Sequence, residues 1–111
     1  MNYTKEECKI FRNDFCMMYN RATYKREFPK KEITRTWYFF DHMAFKCGLE
    51  VFHSTYYKSI SRLINKNLNY NDFVEKVISG VKRNYGKEYK NNKKYNIWLK
   101  EVEQYLKFEE E

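Results

Sequence analysis

A chain of 111 residues has room for one hydrophobic core, and not for a catalytic domain joined to a separate cofactor domain. One proline and three glycines are too few for a strand-and-turn protein, which needs turn residues about every 8–12 positions, so the fold class expected is all-α. The formal charge of +7 attracts phosphate, anionic lipid or an acidic protein surface, and no apolar run approaches the roughly 20 residues that span a bilayer.

Thr4 followed by Glu7 has the spacing of a capping box, and Cys8, Phe11, Phe15, Met18 and Ala22 then step by three and four. This predicts a first helix over about residues 5–24, with Arg12, Asn13 and Asn20 away from its apolar face. The Phe28-Pro29 step disfavours helix and marks a connection, after which Pro29 suits the first turn of a second helix. That helix is expected over 30–47, with Ile33, Trp37, Phe40, Ala44 and Cys47 in one stripe widened by Met43. Tyr38 and Phe45 lie seven apart on its other side with His42 between them, and a helix apolar on two sides is either central in its bundle or packed on a partner.

A third helix is expected over about 50–67, carrying His53, Tyr56, Ile60, Leu63, Ile64 and Asn67 on one face. Asn71 reads as the N-cap of a fourth, with Asp72 in its first turn, Phe73, Val77, Ile78, Val81 and Tyr85 inward, and an end at Gly86. Residues 87–94 read as a solvated basic loop, and a fifth helix shows Tyr95, Trp98, Leu99, Val102, Tyr105 and Leu106. The architecture predicted is a compact single-domain bundle of about five helices, residues 1–111, with helix 30–47 at its centre and a frayed acidic tail at 109–111. The central stripe should be buried against Phe11, Phe15, Ile60, Ile64, Val77 and Trp98.

Cys8, Cys16 and Cys47 are odd in number and form no CxxC pair, and the N-terminus has no apolar leader, so the cytoplasm of a host cell is the expected compartment. With His42 and His53 these cysteines are the candidate metal ligands, but none of the short paired spacings of structural zinc occurs. Asp41-His42 and His53-Ser54 are neighbours in sequence, and adjacent helical residues point about 100° apart. No Gly-rich phosphate loop, nucleophile elbow or H-E-x-x-H is present. The expectation is a non-enzyme with no metal and no cofactor.

Two basic clusters stand out, Arg21, Lys25, Arg26, Lys30, Lys31 and Arg35, then Lys82, Arg83, Lys87, Lys90, Lys93 and Lys94. Tyr24, Tyr85, Tyr89 and Tyr95 are interleaved with them, and aromatic rings stack on unpaired bases. Merged on one side of a bundle, the clusters would make a surface that follows phosphates. Tyr38, His42 and Phe45, with Met17 and Tyr19 as outliers, supply more aromatic surface than one small core needs, the pattern of interface anchors.

Lys, Asn, Tyr, Ile and Phe are plentiful and Ala, Gly and Pro scarce, which reflects AT-rich codons and a genome such as that of a low-GC bacterium, its phage or plasmid, or an AT-rich virus or parasite. Small proteins of that origin often block or adapt a host machine. The function expected is therefore a non-catalytic binding protein that inhibits or adapts a host nucleic-acid-handling complex. Direct DNA or RNA binding through the two basic clusters is the alternative, and no membrane partner is expected.

Overall fold

The computed structural model describes residues 4–46, 48, 60–89 and 92–107, and of residues 82–89 the backbone alone. The described residues are helical and joined by turns, with no strand among them. None of their helices is long and apolar enough to cross a membrane.

Helix α1 (Lys5–Thr23) begins where the Thr4–Glu7 spacing puts it, with Glu7 N–H donating to Thr4 Oγ1 at 3.0 Å and the Thr4 N–H donating back to the Glu7 carboxylate. Helix α2 (Lys30–Lys46) starts directly after Pro29, whose carbonyl accepts from the Ile33 N–H. Gly48 follows with φ +77°, the left-handed conformation that glycine adopts at a helix end.

The third predicted helix lies mostly outside the described residues. Its described part is helical only at Ile60 and Ser61 and then turns over residues 62–65, so it stops short of the predicted end at Asn67. Asn65 and Asn67 have positive φ, which asparagine tolerates and which breaks a helix.

Helix α3 (Tyr70–Tyr89) is capped by Asn69, whose side-chain oxygen accepts from the Asp72 N–H at 2.8 Å. The cap is thus two residues before the predicted Asn71. The helix also continues through Gly86 to Tyr89, which takes up residues 87–89 of the predicted basic loop. Helix α4 (Lys93–Leu106) starts at Asn92, which accepts from the Lys94 and Tyr95 N–H groups.

The core is one cluster to which every helix contributes. Phe40 meets Phe11 edge-on at 5.3 Å and Trp98 at 6.3 Å, while Phe15 and Tyr19 pack on Phe73. Ile33, Trp37, Phe40 and Ala44 are buried as predicted, as are Phe11, Phe15, Ile60, Val77 and Trp98; Ile64 is half-buried and Cys47 lies outside the described residues.

The centre of the bundle is not helix 30–47. Among the described residues α1 and α4 each pack against all three other helices, whereas α2 packs on α1 and α4 and not on α3. One broad arc of α1 is buried, formed by Phe11, Phe15, Met18 and Ala22 and widened by Tyr19 and Thr23, with Tyr19 reaching Phe73 of α3. The arc of α2 that would have to face a third neighbour carries Lys31, Arg35, Tyr38 and Phe45, all exposed.

Arg12 also departs from expectation. It is half-buried and its guanidinium donates to the Tyr105 and Lys107 carbonyls, closing the C-terminus of α4 with a positive charge.

Candidate functional site

α1 and α2 form an antiparallel hairpin, as three cross-pairs show: Glu7 with His42, Phe11 with Phe39 and Phe40, and Arg21 with Glu32. This register buries one side of α2 and turns the opposite side to solvent. Lys31, Arg35, Tyr38, His42 and Phe45 recur every three or four residues and so lie along one strip of that outer side. Tyr38 is 73% exposed and Phe45 72%, unusual values for large rings. Seven helical residues separate them by roughly 10 Å along the axis.

His42 occupies the flank of the strip rather than its middle. Its Nε2 lies 3.6 Å from a Glu7 carboxylate oxygen, which ties it toward α1. Phe39, between them, stacks on Phe11 with ring centroids 4.6 Å apart and planes 5° from parallel. On α1 the exposed Ile10 and Met17 add apolar surface, so Met17 remains on the outside as expected. Tyr19 does not, because its ring is buried and its hydroxyl donates to the Leu68 carbonyl at 2.7 Å. Burial, with Tyr24 beside it, pushes its ionisation up to about 12.

The first basic cluster assembles at the α1–α2 elbow. Arg21 is anchored by Glu27 at 3.0 Å and by the nearly buried Glu32 at 2.9 Å, an arrangement that raises its already high pKa. Lys25, Arg26, Lys30, Lys31 and Arg35 are exposed around it. Arg26 holds a left-handed φ of +55°, and the Glu27 N–H returns to the Arg21 carbonyl, so the connection folds back tightly before α2. Arg21, Lys30, Lys31, Thr34 and Arg35 line an open depression of about 640 Å³.

Of the second cluster, the described side chains Lys93 and Lys94 lie elsewhere. A Cβ on Gly48 would be 3.1 Å from Lys94 Nζ, which places Lys94 at the C-terminal end of α2, about 25 Å from Lys30 for a 17-residue helix. Lys93 is exposed near it. Lys82, Arg83 and Lys87 fall on the backbone-only part of α3, and Lys90 lies outside the described residues. Of the interleaved tyrosines, Tyr24 is exposed and Tyr95 is buried, so Tyr95 offers no ring for stacking. Tyr85 and Tyr89 fall on the backbone-only part of α3.

Burial raises the pKa of the half-buried thiols of Cys8 and Cys16, Glu7 adding to the effect at Cys8, so both are held as weak nucleophiles. Among the described residues no three His, Cys, Asp or Glu side chains gather as a metal site would need. Cys47 and His53 lie outside the described residues. Two of these features had no signal in the sequence. The Arg12 bonds span more than ninety residues, and the Arg21–Glu32 pair joins two helices across a turn.

No protein-family pattern matches this chain, and no curated protein or solved structure matches it.

Proposed function

We propose that this is a small non-catalytic binding protein, of the type that phages, viruses and mobile elements direct at a host nucleic-acid-handling complex. The outer face of α2 is its docking surface. The observation that carries the reading is the exposure of Tyr38 and Phe45 on one face, two turns apart, which is the anchor spacing of a helix that lies in a groove. Tyrosine and phenylalanine provide large contact area at low entropic cost, and so suit anchors.

Charge narrows the partner. With +7 overall and Lys31 and Arg35 on the same strip, this chain repels the basic clefts in which nucleic acid sits. A protein groove with an acidic rim, beside the nucleic-acid path and not within it, fits it. Inhibition or adaptation would then act by holding that neighbouring surface, not by imitating nucleic acid.

Affinity capture from host lysate with the wild type and with Tyr38→Ala/Phe45→Ala tests this. A partner retained after nuclease treatment and lost from the double variant is the expected result. Capture that vanishes with nuclease, or that the double variant keeps, overturns it.

Direct nucleic-acid binding is favoured by one observation, the crowding of cations at the α1–α2 elbow. Retention on random-sequence DNA as salt rises separates the two readings. A protein that works through about six phosphate contacts loses on the order of 10³-fold between roughly 50 and 200 mM salt, whereas capture of a protein partner through aromatic rings does not fall so steeply.

A further inference from the structure

Residues 21–35 hold six cations and two carboxylates, and both carboxylates are engaged by Arg21. On an ordinary solvated face, acids and bases pair with one another. Here Glu27 takes Nε of Arg21 and Glu32 takes Nη1, which fixes the guanidinium with Nη2 as the nitrogen outside both bonds. Lys30, Lys31 and Arg35 make no ion pair with any carboxylate of the described residues. They rise from the first two turns of α2 around the depression that Arg21 closes from α1. The Thr34 hydroxyl donates to the Lys30 carbonyl at 2.9 Å, so recognition at this place falls to the cations.

A single carboxylate would meet only part of this charge. A phosphoryl group presents several strong acceptor oxygens, accepts ammonium groups from several directions and takes a guanidinium edge in two parallel bonds. The depression is open to solvent and so admits either a phosphodiester of a longer chain or a free phosphate ester. The first turn of α2 adds the positive end of its dipole.

We infer that the α1–α2 elbow is a phosphate-binding site for the phosphodiester of a nucleic acid or a free phosphate ester, adjoining the Tyr38–Phe45 face, with which it shares Lys31 and Arg35. The inference goes beyond the docking reading and stands without it. In a complex that handles nucleic acid, the two sites would let one small protein touch a protein groove and the adjacent phosphates together.

The test titrates the full chain with pyrophosphate and with a random single-stranded DNA oligonucleotide, reading the backbone amide signals of residues 21–35 and the affinity. Lys30→Gln/Lys31→Gln/Arg35→Gln should weaken binding at least about tenfold, while Lys93→Gln/Lys94→Gln, at the other end of α2, should stay within about twofold. With three phosphate contacts, oligonucleotide affinity should fall about 20-fold between roughly 50 and 200 mM salt. Stronger binding of the oligonucleotide identifies the nucleic-acid backbone as the source, and equal or stronger binding of pyrophosphate identifies a free phosphate ester. Equal loss in both variants would mean diffuse attraction and would overturn the site, as would amide signals that neither ligand moves. Tyr38→Ala/Phe45→Ala should keep phosphate binding whether or not it loses its protein partner, so failure of either proposal is seen separately.

Discussion

On the inner face of α2, Phe40 lies edge-on to Phe11 and is 1% exposed; on the outer face, five residues on, Phe45 is the same side chain at 72%. Both have the same transfer free energy, and only the rotation about the helix axis separates them. The inner ring gains the contacts of a close-packed core, whereas the outer ring keeps its apolar surface in water. A helix that serves only to fill a bundle gains nothing from such a ring, and a lysine or glutamate there would serve the fold as well. What the contrast teaches is that packing accounts for the inner face alone, and contact with another molecule is the role proposed for the outer one.

The contrast breaks most directly through stability. Phe40→Ala should cost about 3–5 kcal/mol, a large part of what a domain of this size has, and Phe45→Ala should stay within about 0.5 kcal/mol of wild type. Urea denaturation of the two variants measures both. Equal shifts in midpoint would mean that Phe45 is packed in solution and that α2 has no free face.

The outer face should respond in binding instead. As anchors, Tyr38 and Phe45 should each lose about 2 kcal/mol of partner affinity on truncation to alanine, close to 30-fold, with unchanged denaturation. Lys31→Ala, at the rim, should lower the association rate more than it raises dissociation. If both aromatic variants bound like wild type, the strip would be surface without a function.

A smaller effect probes the end of the helix, where both faces stop. Gly48 has φ +77°, and a Cβ there would also press on Lys94 at 3.1 Å. Gly48→Ala should therefore cost about 1–2 kcal/mol, and because Lys94 is a flexible chain that can give way, most of the loss should come from the backbone. Removing the contact with Lys94→Ala in the same protein should recover little of the loss.

How much of this was legible beforehand follows from the range of the forces involved. The Thr4–Glu7 box and the inward stripe of α2 are readable, because capping and periodicity act over three to seven residues. The rank of α2 was misread. Its second aromatic line looked the same in sequence whether it faced a helix or water, and only the packing of α1 with α3 decides that. The Asn69 cap was missed for Asn71, since neighbouring asparagines carry the same local signal and the chain uses the one that lets Tyr70 enter the helix. The distance of Lys94 from the α1–α2 elbow is beyond reach of the sequence for the same reason as the Arg12 bonds: each depends on which helix ends meet in space.

A tyrosine on the buried side gives the finest version of the comparison. Tyr19 donates to the Leu68 carbonyl, and burial raises its pKa from 10.0 to about 12. Between those values the unfolded chain releases the proton and the folded chain retains it, so the folded state binds more protons and stability declines as pH rises. The contribution of the hydroxyl is complete below about pH 10 and gone above about pH 12. Tyr70 is raised in the same direction, mainly by burial, and should steepen the decline. Tyr19→Phe should cost about 1 kcal/mol at neutral pH through the lost hydrogen bond, and its urea midpoint should then fall less steeply than that of wild type through the alkaline window. Parallel decline of the two proteins would mean that the hydroxyl is open to water, and with it the side of α1 that packs on α3.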